Sequence, residues 1–129
     1  VQFAVAAPLQ AALARFMIEQ PGHALELPGF YQRKRDRFCQ LLEATPLRCT
    51  PSAGTYFQLA DYSAVSDFPD VEFARWMTRE LGVATIPVSV FSAGATAERL
   101  VRFCFAKNDP TLDAAGERLA RRAQMGGPT

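Results

Sequence analysis

Arg102 is the residue whose type and surroundings in the sequence most suggest binding chemistry. It lies in an otherwise apolar stretch that reads as a strand, and alternation separates Arg102 and Cys104 from Val101, Phe103 and Phe105 on the opposite face. A guanidinium keeps its charge and offers a planar fork that matches a carboxylate or a phosphate. An arginine in this setting normally faces an anion, so carboxylate binding on an α/β domain is one interpretation of Arg102. The alternatives are a structural salt bridge, or a side chain that extends its charge to solvent.

The loop from Val88 to Ala97 is the other segment that we expect to touch a ligand. Its small residues are typical of a segment that lines a pocket or moves, and Ser89 and Phe91 are the side chains in it best suited to contact a small molecule. Cys104 could act as a nucleophile, although a thiol packed as a small apolar side chain is the commoner role.

Several chemistries lack a motif in this sequence. His23 is the single histidine, and because the G-x-S-x-G elbow of a hydrolase triad is absent, we expect it at a surface or helix-capping position. One histidine and three dispersed cysteines show no metal-ligand spacing. The glycines form neither G-x-G-x-x-G nor a phosphate-binding loop. We therefore predict no metal site and no nucleotide site.

Charge and cysteine content narrow the partners and the compartment. The formal net charge is +1, from 14 basic and 13 acidic residues, so the basic run over residues 33–37 is predicted to be a solvated helix face rather than a nucleic-acid patch. No apolar run approaches the roughly 18 residues of a membrane span. Cys39, Cys49 and Cys104 show no CxxC spacing, and we expect free thiols in a reducing, cytoplasmic compartment.

Hydrophobic periodicity predicts the elements that position these residues. A chain of 129 residues, 49% of them hydrophobic and 21% charged, can form one globular domain with its own core. The element order predicts an α/β fold of the α+β two-layer kind, in which helices cover one face of a small, mostly antiparallel sheet. The predicted helices span 8–20, 23–45 (or from Leu27), 71–81 and from 109 onward, and the predicted strands span 47–49, 55–60, 83–87 and 99–106.

Turn and cap residues predict where these elements begin and end. A connector over residues 51–54 should join the first two strands as a hairpin. Asp67 or Asp70 is predicted to cap the third helix, and Gly82 to close it. Asp109 is predicted to be the N-cap of the last helix. Residues 125–129 are predicted to be a disordered tail.

Apolar spacing predicts which side chains form the core. The first helix should bury one stripe, and most of a scattered aromatic cluster should be internal. The stripe consists of Leu9, Leu13, Phe16 and Met17, and the aromatic cluster of Tyr56, Phe57, Tyr62, Phe68, Phe73 and Trp76.

Three stretches of the sequence, taken together and in this order, resemble a known family. They are similar to the C-terminal part of a fold-type I, pyridoxal-phosphate-dependent class I/II aminotransferase, in particular to the methionine and kynurenine aminotransferase branch. The similarity extends from about Val1 to Gln124. The stretches read LELPGFYQRKRD at residues 25–36, GTYF at 54–57 continuing to GVATIPVSVF at 82–91, and VRFCFAK at 101–107.

The resemblance implies a connecting helix within residues 1–22 that leads from a large cofactor domain, and a small C-terminal domain over residues 23–124 that closes over the active site. It also implies that Arg102 binds the substrate α-carboxylate as a bidentate pair, which positions the substrate rather than breaking a bond. The parent enzyme is implied to be a homodimer. Ala6-Ala7 departs from the family, where relatives more often carry Asn or Thr.

A larger departure concerns the cofactor. Pyridoxal phosphate needs a lysine for its Schiff base, an acidic partner and a phosphate cradle. The two lysines, Lys34 and Lys107, lack the family's Ser-x-x-Lys setting, since Tyr31 and Cys104 lie three residues before them. The resemblance places the cofactor lysine upstream. We therefore expect no catalytic, cofactor-binding or metal-binding residue in this chain, and no transamination by the chain alone.

The resemblance thus predicts the C-terminal part of an aminotransferase. The whole enzyme would move an amino group between an amino acid, such as methionine or an aromatic one, and a 2-oxo acid. The alternative is a stand-alone amino-acid-binding regulatory α+β module, which would also use an arginine for a carboxylate. That module would bind free amino acids without any cofactor.

Overall fold

A computed structural model describes residues 6–93 and 98–123 of the chain, with side chains up to residue 121. The chain forms two compact units that divide between Phe30 and Tyr31. The domain boundary predicted between residues 22 and 23 stays a prediction, and the predicted tail over 125–129 lies outside the described residues. Within the described part, no helix is both long and apolar enough to span a bilayer.

The first unit holds helix α1 (Ala7–Glu19) and the beginning of α2 (Gly22–Glu43). The predicted buried stripe of α1 is wrong, because its four side chains keep 42–66% of their surface exposed. A unit of about 30 residues has too little interior to enclose an apolar stripe. His23 is exposed, as expected, and its ring lies 5.1 Å from that of Phe16, centroid to centroid. Pro28 lies inside α2, so the alternative start near Leu27 is wrong.

The second unit is built on a small antiparallel sheet, as the sequence predicted, but with three strands rather than four. Its strands are β1 (Phe57–Asp61), β2 (Ile86–Pro87) and β3 (Leu100–Cys104), in the order β1-β3-β2. Arg102 therefore lies on the central strand, opposite Leu59 of β1 and Ile86 of β2.

Helices cover the face of the sheet that carries Val101 and Phe103. Both side chains lie on the face opposite to Arg102, as alternation along β3 predicted, and both are almost fully buried. They join a core to which α2, α3 (Asp70–Trp76) and α4 (Asp109–Ala123) contribute. The Phe38 and Phe103 ring centroids lie 5.2 Å apart. The core members are Phe38, Leu42, Leu47, Ala60, Tyr62, Phe73, Met77, Val83, Val101, Phe103, Phe105, Leu112 and Leu119.

The predicted strand over residues 47–49 is reduced to a single bridge between Arg48 and Asp61. The side chain of Gln58 explains why pairing stops there. Its Nε2 donates to the Thr50 carbonyl at 2.8 Å, and its Oε1 accepts from the Ser52 N–H at 3.1 Å. A buried amide side chain thus satisfies backbone groups that a second strand would have paired.

The third helix differs from prediction in its N-terminal cap and in the form of its last turn. Neither Asp67 nor Asp70 caps it, because Pro69 holds the cap position and no side chain bonds there. The final turn, Met77–Leu81, is π-helical and closes with the Gly82 N–H donating to the Met77 carbonyl. Gly82 ends the segment in the left-handed conformation (φ 63°), as predicted.

Contacts near α4 correct two further predictions. Asn108, not Asp109, caps the helix, because its Oδ1 accepts from the Thr111 N–H at 2.9 Å. The Asp109 carboxylate instead accepts from Lys34 Nζ at 2.9 Å. The basic run is therefore only partly solvated, since the Lys34 and Arg35 side chains retain just 13% and 21% of their exposure.

Candidate functional site

The Arg102 guanidinium is held by aromatic rings. Its Cζ atom lies 4.0 Å from the centroid of the Phe57 ring and 4.6 Å from that of Phe91. We call Phe57 and Phe91 the aromatic pair. Both distances fall within the range of a cation–π contact. Such contacts constrain the guanidinium group while its N–H donors remain available to an anion.

The salt-bridge alternative for Arg102 is not met among the described residues. Among residues 6–93 and 98–123, no carboxylate forms a salt bridge with it, whereas five other basic side chains do have such a partner. The side chain is half-buried, and its Nε is buried without a hydrogen-bond partner in the described chain. A positive group in this state favours an anionic ligand, because an unpaired buried donor is costly.

Phe57 reaches Arg102 from the start of β1. The register places Phe57 opposite Cys104, two residues from Arg102 on the same face of β3. The residue before Tyr56 is Thr55, whose φ of 65° is rare for a β-branched side chain. Because backbone strain of this kind persists only where neighbouring structure enforces it, the approach to Phe57 is tightly constrained.

Phe91 reaches Arg102 from a 3₁₀ turn, Ser89–Phe91. This turn is tied to the first residue of α3. Ser89 donates twice to the Asp70 carboxylate, from its N–H to Oδ2 and from its hydroxyl to Oδ1, both at 2.7 Å. Burial raises the pKa of Asp70, but hydrogen bonds from Ser89 and from the Val71 and Val88 N–H groups outweigh it, so its pKa lies below the usual range.

The sheet face around Arg102 is apolar and exposed in this chain. Leu59 and Ile86, the residues paired with Arg102 on either side, retain 44% and 40% of their exposure. A groove of about 660 Å³ lies between β3, residues 82–86 and α4. Its lining includes Arg102, Cys104, Thr85, Ile86, Lys107 and Arg118. A carboxylate at Arg102 would therefore bring the rest of its molecule against apolar surface.

The two loop residues predicted to contact a ligand, Ser89 and Phe91, have different surroundings. Phe91 lies against Arg102, whereas the Ser89 hydroxyl is engaged by Asp70; a ligand contact by either stays a prediction. Cys104 is a free, half-buried thiol beside Phe57 in the register. In the described ranges, no three His, Cys, Asp or Glu side chains cluster as a metal site requires. Residues 94–97 of the predicted loop lie outside the described chain.

Sequence reasoning missed Phe57 and Asp70 as parts of this site. Phe57 was assigned to the core, yet it is half-buried and faces Arg102. Asp70 was considered only as a helix cap. The available signal was the alternation along β1, which places Phe57 and Leu59 on one face and Gln58 and Ala60 on the other.

Comparison with known proteins gives a consistent family. Residues 2–119 match the aminotransferase class I and II family. The chain is 51% identical over 117 residues to methionine aminotransferase of Escherichia coli K12, covering 91% of this chain and 30% of the relative. It is 39% identical over 134 residues to kynurenine–oxoglutarate transaminase 3 of Mus musculus, covering 89% and 30%. The chain thus spans about a third or less of these relatives.

The solved structures to which this chain is similar are also aminotransferases. An Escherichia coli protein whose structure and reactivity identified a methionine aminotransferase function superposes with a TM-score of 0.88 at 50% identity, over 93% of this chain and 32% of that one. N-succinyldiaminopimelate aminotransferase of Mycobacterium tuberculosis superposes with a TM-score of 0.84 at 33% identity, over 93% and 32%.

Proposed function

Since the chain belongs to the aminotransferase class I and II family, we propose that it is the C-terminal, substrate-carboxylate-binding part of a pyridoxal-phosphate-dependent aminotransferase. Arg102 binds the α-carboxylate of the amino acid and of the product 2-oxo acid. By fixing that end of the substrate, it orients the α-amino group toward the reacting centre.

The observation that supports this role is the state of the Arg102 guanidinium. It is half-buried against the aromatic pair and has no acidic partner in the described part of the chain. An arginine that served stability alone would be expected to pair with a carboxylate, as Arg37 does with Asp113 at 2.7 Å. A bidentate carboxylate ligand would supply the missing partner.

We propose that this chain does not form a cofactor site by itself. Lys34 Nζ donates to Asp109 and to the Lys107 carbonyl, at 2.9 and 2.7 Å, and so is engaged within the chain itself. Lys107 is exposed. Pyridoxal phosphate supplies the electron sink for amino-group chemistry when bound. We propose that other segments of the parent protein hold it, and that this chain alone is inactive.

The substrates follow from the relatives and from the apolar surroundings of Arg102. Methionine and kynurenine appear in the names of the relatives, and both carry apolar or aromatic side chains that suit the exposed surface formed by Leu59 and Ile86. We propose an amino acid of this type as donor and a 2-oxo acid as acceptor. We also propose a homodimeric parent in the cytoplasm, where the three free cysteines remain reduced.

The experiment compares the 129-residue chain with the complete protein that contains it. Loaded with pyridoxal phosphate, the complete protein is expected to transfer the amino group of methionine or phenylalanine to a 2-oxo acid, and the chain alone to transfer none. Turnover by the chain alone would contradict its inactivity. No amino transfer by the complete protein would contradict the proposed function. Calorimetric binding of free amino acids to the chain without cofactor would favour a regulatory module.

A further inference from the structure

We propose that Asp70 is a positioning residue for substrate-carboxylate binding: it holds the 3₁₀ turn that keeps Phe91 against the Arg102 guanidinium. The inference rests on the proposed function of Arg102. Asp70 acts through Ser89 and Phe91 and does not touch the substrate.

The Asp70 carboxylate binds the Ser89–Phe91 turn. Asp70 is 7% exposed as a residue, and both of its carboxylate oxygens accept hydrogen bonds from Ser89 at 2.7 Å. These bonds join two segments 19 residues apart in sequence. Charge-assisted hydrogen bonds of this length are among the stronger ones in proteins. Asp70 and Ser89 therefore fix the start of the turn to the start of α3.

Apart from a hydrogen bond from the adjacent Val71 N–H, the bonds of this buried carboxylate come from the turn and from Val88 beside it. It forms no salt bridge in the described chain, and its helix has no side-chain cap. Burying a carboxylate without a cation is unfavourable unless hydrogen bonds compensate. The placement of the Ser89–Phe91 turn is the structural effect that these bonds produce.

Phe91 depends on the Ser89–Phe91 turn for its position. Its side chain is 62% exposed, so burial in a core does not hold it. Phe57, in contrast, belongs to β1 and is held by the sheet register. Of the aromatic pair, only Phe91 is carried by a segment outside the sheet. Removing the Asp70 hydrogen bonds should therefore release Phe91 while Phe57 stays.

The consequence concerns the orientation of the guanidinium. With one ring released, Arg102 keeps its charge but samples more orientations of its planar fork. A bidentate carboxylate contact needs that fork in one orientation, so substrate binding weakens more than the reaction of bound substrate. The effect should vanish for an amine that carries no carboxylate.

The first measurement needs no catalysis. In the complete protein labelled with ¹³C and ¹⁵N arginine, the Arg102 side-chain signals, assigned with Arg102→Lys, should show ring-current shifts from the aromatic pair. Asp70→Asn is expected to lose a large part of that shift. Asp67→Asn is the matched control, because Asp67 is a nearby aspartate with a side chain 91% exposed, paired with Arg99. It should leave the shift unchanged.

The second measurement separates positioning from general stability. In the pyridoxal-phosphate-loaded complete protein, Asp70→Asn should raise KM for phenylalanine about 10-fold with kcat changed less than about 3-fold. Reaction with 2-phenylethylamine, which lacks the carboxylate, should stay unchanged. Ser89→Ala, a milder change should Asp70→Asn fail to fold, should shift KM in the same direction, and Ser89→Thr, which keeps the hydroxyl, should restore it.

The inference is overturned if Asp70→Asn and Ser89→Ala leave the Arg102 shift in place, or if both substrates lose activity equally. An enzyme that transfers no amino group even as wild type would refute the proposed function instead. In that case the spectroscopic arm alone decides whether Asp70 positions Phe91.

Discussion

The guanidinium carbon of Arg102 lies 4.0 Å from the centroid of the Phe57 ring, and these two residues come from adjacent strands of one sheet. Phe91 approaches the same carbon to 4.6 Å from a turn rather than a strand. Arg102 thus has no acidic partner in the described chain. Contacts to the two rings and to its own strand hold its side chain in place. Those contacts stabilise the charge only partly, which leaves its donors for a ligand.

Replacing Arg102 should weaken substrate binding strongly. Arg102→Lys keeps a positive charge but loses the planar fork, so KM for the amino acid should rise about 100-fold in the complete, cofactor-loaded enzyme. The measurement is steady-state kinetics with saturating 2-oxo acid. Arg99→Lys is the control, since Arg99 lies just before β3 and pairs with the exposed Asp67. An unchanged KM in Arg102→Lys would show that another group binds the carboxylate.

Much of the fold could be predicted because it depends on local patterns. Alternation along β3 correctly placed Val101 and Phe103 on the face opposite to Arg102, and Gly82 correctly marked the end of a helix. These signals act within a few residues. The position of Arg102 on an apolar strand was likewise visible in the sequence alone.

The site partners could not be predicted because they depend on contacts between distant segments. Nothing near Asp70 indicates that its carboxylate bonds Ser89, and the cap role expected from its place before a helix was wrong. Phe57 was assigned to the core because an aromatic residue in a strand is usually buried. The positive φ of Thr55 also has no signature in the sequence, because a β-branched residue rarely adopts it.

Acid should remove the contribution of Asp70 to stability. Its pKa in the folded chain is lowered, since hydrogen bonds from Ser89 and neighbouring N–H groups outweigh the effect of burial. Between that value and the unfolded pKa of about 3.9, the unfolded chain binds more protons. The stabilisation is therefore complete above pH of about 4 and is lost as the pH falls through the folded pKa.

Urea unfolding of wild type and Asp70→Asn from about pH 6 down to about pH 2 measures this effect. The difference in unfolding free energy should be constant at the upper end and shrink toward the acid end. Asp61, whose pKa is also lowered by its bonds from Ser63, is present in both proteins and cancels in the difference. Parallel curves over the whole range would contradict the prediction.

Cys39 should be the least reactive of the three thiols. Burial, followed by the neighbouring Cys49, raises the pKa of Cys39 to about 12, so its thiolate fraction near pH 8 is on the order of one in ten thousand. Iodoacetamide labelling followed by peptide mass spectrometry should modify the half-buried Cys104 well before Cys39. In urea the two should react at similar rates. Equal labelling of the folded protein would show that the Cys39 thiol is accessible.

Gly82 should tolerate no side chain without a loss of stability. Its φ of 63° is a left-handed conformation that costs an L-residue about 1–2 kcal/mol. A Cβ there would also lie 2.8 Å from Arg118 Nη1, and that side chain would have to leave its 2.8 Å bond to the Gly82 carbonyl. Gly82→Ala should therefore lower the free energy of unfolding by about 1–3 kcal/mol in urea titrations.

Gly54→Ala is the matched control for that variant. A Cβ at Gly54 would meet nothing within 4 Å, and Gly82 is the only glycine of the described ranges with positive φ. The Gly54 variant should thus unfold within about 0.5 kcal/mol of wild type. Trp76, the single tryptophan, lies on the helix that Gly82 terminates and reports unfolding by fluorescence. If both variants lost stability equally, the cause would be a general effect of replacing glycine rather than the left-handed closure after Leu81.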